Sequence, residues 1–206
     1  MRGIASLYRL RAVFARGMLT IARGTKIPLG TKIIWRRGNI RIGEKVHFRK
    51  GVVLDAQEGA ISIGACVSFN EYSILLGRGG ISIGNDVRIA AHAMVVSFDH
   101  NFDDPTVPIR LQGVTKKPVV IEDDVWIGAG AKILGGAHIS KGCVIGANAV
   151  VKGRTEPYGI YVGAPARLLK RRGELGGSGS GNVELFALSK KWVGGPLNPA
   201  GGDIDR

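Results

Sequence analysis

Long apolar stretches are missing from this 206-residue chain: no run approaches the roughly 18 residues that a membrane-spanning helix needs. Cysteine is scarce. Cys66 and Cys143 are too few for a disulfide framework, and the chain reads as intracellular or indifferent to redox state. The four histidines, His47, His92, His100 and His138, show no zinc-type spacing with each other or with cysteine, so no metal is expected. Acidic residues are absent from positions 1–41, where ten lysines and arginines fall; the first acid is Glu44. The remaining residues hold 19 basic against 16 acidic side chains, so most of the net charge of +13 sits at one end. Without aromatic interleaving or a recognised module, that charge does not point to nucleic acid.

Hydrophobic residues make up 45% of the chain, enough for a core, and glycine, at 32 residues, is used about twice as often as average. Both follow a repeat. Gly38–Gly43, Gly59–Gly64 and Gly79–Gly84 share the form Gly-x-Ile-x-Ile-Gly, and Val119–Glu122 opens a fourth, shorter cassette. An apolar residue recurs every six positions through Ile42, Phe48, Leu54; Ile63, Phe69, Leu75; and Ile83, Ile89, Val95. After a gap the series resumes as Ile121, Ile127, Ile133, Ile139, Ile145, Val151. A period of six suits neither a helix nor an alternating hairpin. It fits a three-sided coil of short strands and tight corners, about eighteen residues per turn, stacked turn on turn. A β-sandwich would show plain alternation and longer loops. Small residues such as Ala131, Ala137, Cys143 and Ala149 take interior places, and Cys66 falls at a corner. The expected fold is therefore all-β, a parallel β-helix of hexapeptide repeats.

Asp124-Val125-Trp126-Ile127-Gly128-Ala129-Gly130, Asn148-Ala149-Val150-Val151 and Gly163-Ala164-Pro165-Ala166-Arg167 resemble the left-handed β-helix acyltransferases. The branch is that of galactoside, maltose and polysaccharide O-acetyltransferases, and the likeness spans about residues 38–172. It implies an acetyl-CoA-dependent enzyme acting on a bacterial sugar or surface-polysaccharide precursor, as a homotrimer with sites between subunits. N-acetylation of an amino sugar is the neighbouring reading, and a non-catalytic β-helix scaffold is the reading of another class.

The repeat pauses at about 97–116, a polar segment containing His100. A long excursion from a regular rod is usually functional. The resemblance makes His100 the general base that deprotonates the acceptor hydroxyl, while a bare reading makes it a surface histidine. By the same resemblance the backbone N–H of Ala129 stabilises the oxyanion. Asn70 holds the acceptor or merely turns a corner, and Trp126 packs on substrate or covers an outer face. Gly128, Ala129, Gly146, Ala147, Lys152 and Gly153 line the donor's pantetheine groove. Arg167 and Lys170 meet its phosphates or are a solvated basic tail. Two departures stand out: Val151-Lys152-Gly153-Arg154 replaces the family's Val-Thr-Lys-Asp, and an acidic acceptor-binding position is here Arg78. The second opens the acceptor to a negatively charged glycan.

Three segments are expected: a basic amphipathic helix over 1–26, the β-helix over 27–172, and a Gly/Ser linker with a tail over 173–206. The helix stripe (Ile4, Leu7, Tyr8, Phe14, Met18, Ile21) either caps the solenoid or lies on an anionic membrane. Arginines interrupt it too often for a secretory signal. A cytoplasmic enzyme, peripheral on the inner membrane if the helix binds lipid, is the corresponding location. The tail reads equally as a docking segment or an extension.

Overall fold

The computed structural model describes residues 17–174. Residues up to Arg172 form one compact unit, and Gly173–Arg206 a second, of which only Gly173 and Glu174 are described. The expectations for residues 1–16 and for the tail beyond 174 lie outside the described residues.

The chain coils through about six turns of a left-handed parallel β-helix with three faces. The first turn contains β1 (Met18–Ile21) and β2 (Lys32–Ile34), and the second β3 (Asn39–Ile42), β4 (His47–Phe48) and β5 (Val53–Asp55). The third holds β6 (Ala60–Ile63), β7 (Ser68–Phe69) and β8 (Ile74–Leu76), and the fourth β9 (Ile81–Ile83), β10 (Arg88–Ile89) and β11 (Met94–Val96). A ribbon of β12 (Phe98–His100) and β13 (Val114–Lys116) then interrupts the coil. The fifth turn is β14 (Val119–Ile121), β15 (Trp126–Ile127) and β16 (Lys132–Ile133), and the sixth β17 (His138–Ile139), β18 (Val144–Ile145) and β19 (Val150–Val151). A last strand pair, β20 (Gly159–Val162) and β21 (Arg167–Arg171), closes the end as an antiparallel flap.

Face A stacks β1-β3-β6-β9-β14-β17, face B β4-β7-β10-β15-β18-β20-β21, and face C β2-β5-β8-β11-β16-β19. Register is strict: Ile42 lies over Ile63, which lies over Ile83, then Ile121, then Ile139. All fifteen six-spaced residues are at most 3% exposed. Each such side chain contributes about 1.5–3 kcal/mol by leaving water, and Phe48 stacks on Phe69 inside the prism, ring centres 4.9 Å apart. Corners demand left-handed backbone, so Lys45, Cys66, Asp86 and Asp124 hold positive φ at one vertex, and Tyr72, His92 and Asn148 at the next. Gly51 leaves room there for the Tyr72 ring above it.

One expectation is overturned. Met18–Ile21 is a strand paired in parallel with β3 rather than the end of a helix running to residue 26. Ile21, Ile27 and Ile33 extend the six-residue series one turn earlier, and all three are buried. Gly24, at φ 75, makes the corner that a helix would not allow.

Candidate functional site

The segment expected as a polar loop is a built hairpin. It leaves the prism at the vertex between faces C and A, where Lys117 N–H donates to the Ser97 carbonyl at 2.8 Å. The buried Ser97 hydroxyl donates to Leu76 O and accepts from Gly79 N–H, both at 3.0 Å. Lys117 pairs with Asp99 at 2.6 Å. Farther out, the Gln112 side chain donates to the carbonyls of Asp104 and Val107 and accepts from Asp104 N–H. The Asp104 carboxyl takes two bonds from Thr106, which hold it below the usual carboxylate range. His100 ends β12, exposed, its ring edge-on to Phe98 at 6.1 Å. Among the described residues its ring nitrogens bond to nothing. The tip also leaves Phe102, Ile109 and Leu111 more than half exposed.

Asn70, Gly128, Ala129, Gly146 and Ala147 are elsewhere, on the vertex between faces B and C. Each turn repeats one pattern there. The first corner residue donates to the rung above, as Gly128 N–H does to Ile145 O at 2.7 Å and Gly146 N–H to Tyr161 O at 2.8 Å. The third donates to the second corner carbonyl of the rung below, as Asn148 does to Ala129 O at 2.8 Å. The second donates to no group among the described residues. A column of unspent N–H groups thus climbs this ridge through Glu71, Ala91, Ala129 and Ala147. Asn70 occupies the first corner place two turns below Gly128. Tyr72 and His92 stack on the same ridge, ring centres 5.4 Å apart. A Cβ on Gly128 would meet Ile145 O at 2.6 Å, so glycine lets the next rung close over the corner that holds Ala129.

Trp126 projects from face B between Arg88 and Val144, 52% exposed. Lys152 and Gly153 turn the C–A vertex of the sixth rung, apart from the other donor-groove candidates on the B–C ridge. Arg167 and Lys170 lie on the terminal flap. Neither has a carboxylate partner among the described residues, whereas the adjacent Arg171 pairs with Glu156, and Arg172 with Asp124 at 2.8 Å. The structure therefore gathers Asn70, Gly128, Ala129, Gly146 and Ala147 on one ridge. It puts His100 at another vertex, and no bond or ring contact joins His100 to that ridge among the described residues.

Two arrangements were not foreseen from sequence. The Arg78 guanidinium lies 5.5 Å from the centre of the Phe98 ring, although twenty positions separate them. On face A, His138 bonds Glu122 at 2.6 Å. That bond, then the Lys141 N–H, holds the Glu122 carboxyl below its ordinary 4.5. Both pairs bridge successive rungs, which only the folded coil brings together.

Residues 118–153 match the family model described as bacterial transferase hexapeptide, six repeats. A Mycobacterium tuberculosis protein named as an acetyltransferase is 36% identical over 160 residues, 78% of this chain; the chain spans only about half of that relative, 52%. An Escherichia coli protein named for O-acetyl transfer in lipopolysaccharide biosynthesis is 30% identical over 142 residues, covering 65% of this chain and 72% of its own. An Escherichia coli dTDP-4-amino-4,6-dideoxy-D-glucose acyltransferase is 30% identical over 139 residues with the same two coverages. Among solved structures, an N-acyltransferase from Bacillus cereus, in complex with dTDP and 3-hydroxybutyryl-CoA, shares the fold with a TM-score of 0.67 at 23% identity, over 93% of this chain and 96% of its own. With its six-residue coil and relatives matched over nearly three quarters of their length, the chain belongs to the bacterial hexapeptide-repeat transferases.

Proposed function

We propose that this chain is an acetyl-CoA-dependent O-acetyltransferase of a bacterial sugar or surface-polysaccharide precursor, working as a homotrimer. The observation that carries the reading is the split of the machinery: an unpartnered imidazole at one vertex and unpartnered N–H donors at another. Prisms packed side by side bring the hairpin of one to the B–C ridge of the next, and the exposed Phe102, Ile109 and Leu111 supply apolar contact.

The ridge fits the donor. The free N–H groups of Ala129 and Ala147 face the amide carbonyls of a pantetheine arm, and small side chains leave it a path. Arg167 and Lys170, on the flap beyond the ridge, carry charge that no carboxylate among the described residues compensates, available for phosphates. Acetyl-CoA, when bound, supplies a thioester whose carbonyl carbon accepts the sugar oxygen. His100 removes the hydroxyl proton as that oxygen attacks. The N–H of Ala129 donates to the carbonyl oxygen as negative charge builds on it. His100 then returns the proton to the departing sulfur, so the carbon–sulfur bond breaks as the ester forms. Asn70 and Trp126 of the ridge-bearing prism hold the sugar. The Escherichia coli amino-sugar relative favours N-acylation as the second reading, with the same base and donor.

The test is thiol release from acetyl-CoA against sugars, amino sugars and nucleotide sugars, with calorimetry of CoA binding. His100→Ala is expected to lower kcat by about 10²–10⁴-fold while leaving the melt unchanged, because the ring is exposed. Absence of CoA binding, or full activity of His100→Ala, overturns the reading. We further propose that the basic sequence before β1 holds the enzyme at the cytoplasmic face of an anionic membrane. Flotation with phosphatidylglycerol vesicles should be lost when Arg2, Arg9, Arg11 and Arg16 become glutamine; unchanged flotation refutes it.

A further inference from the structure

Arg78, at the root of the hairpin that carries His100, is a cation with no ion-pair partner among the described residues. It turns the C–A corner of the third rung, beneath the base of the hairpin, between Gly77 and Gly79. A Cβ on Gly79 would strike the Ser97 backbone, and one on Gly59 the Arg78 carbonyl, so this corner is packed from above and below. The side chain is half-buried, with its Nε atom buried and bonded to nothing. No ion pair among the described residues includes it. The nearby carboxylate, Asp99, is taken by Lys117. What holds Arg78 is the face of Phe98, and Phe98 in turn meets His100. The two ring contacts, 5.5 Å and 6.1 Å between centres, cap the guanidinium-to-imidazole separation at their sum.

A guanidinium fixed by stacking on an aromatic ring presents its remaining donors as a planar fork suited to phosphate or carboxylate. A partly buried cation left without a partner is unfavourable, and binding an anion relieves it. Resting on the acyltransferase reading above, we infer that Arg78 selects an acceptor sugar that carries an anionic group, phosphate or carboxylate, next to the hydroxyl presented to His100. A neutral glycoside would leave the guanidinium desolvated and unpaired.

The experiment compares kcat/KM for glucose, glucose 1-phosphate, glucuronic acid and UDP-glucose as acceptors with acetyl-CoA. In the wild-type chain the best charged acceptor should exceed glucose by about 10–100-fold, the range for bonds to a charged group. Arg78→Gln should bring that ratio to about one, and Arg78→Lys should restore part of it. Preference for glucuronic acid assigns a carboxylate; preference for either phosphorylated sugar assigns a phosphate. A wild-type ratio of one overturns the inference, as does a ratio unchanged in Arg78→Gln or an altered oligomeric state of that variant. Calorimetry with glucose 1-phosphate and glucuronic acid separates the two layers. Arg78-dependent binding without acetyl transfer overturns the acyltransferase reading alone, and absence of any such binding overturns this inference.

Discussion

Gly128→Ala tests how the fold positions the chemistry. The added methyl would lie 2.6 Å from Ile145 O, 2.7 Å from Ala147 N and 2.8 Å from Gly146 C, all backbone of the next rung. No rotamer relieves such contacts, so the two rungs must separate locally by roughly 0.8 Å to reach ordinary packing distance. Overpacking of this kind costs about 1–3 kcal/mol, or about 2–10 °C of melting temperature for a domain of this size. The bond from Gly128 N–H to Ile145 O stretches from 2.7 Å, and the adjacent Ala129 N–H moves with it. A donor displaced on that scale costs about 10–100-fold in kcat. Gly136→Ala is the control: it sits on the same turn at another vertex, with only Lys117 Cβ near, at 4.0 Å, and φ 82. It should lose about 1–2 kcal/mol through backbone strain and keep its kcat within twofold. Thermal melts and thiol-release kinetics on both variants read the two effects separately. If Gly128→Ala keeps wild-type kcat, or the pair behave alike, the reasoning from rung closure to donor position is wrong.

Phe69→Ala removes a fully buried ring stacked on Phe48 and should destabilise by about 3–5 kcal/mol in chemical denaturation; a loss under 1 kcal/mol would contradict a close-packed interior. Because the Glu122 carboxyl is held below 4.5 in the folded chain, its contribution is present above that pH and is lost as pH falls through the folded value. Glu122→Gln should therefore flatten the pH dependence of the melt on the acid side of 4.5 and leave kcat unaffected near neutrality. The group is exposed enough that the effect is small; identical acid profiles for the two proteins would refute the bond's role.

The coil was legible because a hexad has one physical solution, and each six-spaced residue found the interior. The first turn was misread because Met18 and Ile21, in an arginine-rich stretch, satisfy a helical stripe as well as a strand. Gly24 and the continuation to Ile33 are the signals that decide it. The ridge candidates came from the family resemblance, and the period agrees with it, since Asn70, Gly128 and Gly146 each come directly after a face-B core residue. The column of free N–H groups did not, because it arises from backbone bonding and not from any side chain. The contact of Arg78 with Phe98 was hidden by the interruption: stacking joins residues one rung apart, and the hairpin root falls where the repeat stops. Trp126 and Ala129 are neighbours in sequence, yet one faces out from a flat side and the other sits on an edge.

Subunit complementation tests the composite site most directly. His100→Ala and Ala129→Pro each remove one half, the latter by deleting the N–H; Gly128→Ala serves as a second carrier if the proline variant fails to assemble. Co-expressed with different tags and purified as mixed trimers, the two inactive chains should regain about a third of wild-type acetyl transfer, because every mixed trimer, whichever chain is doubled, has one of its three junctions with both halves intact. Mixed trimers as inactive as either variant alone would contradict a site shared between neighbouring prisms.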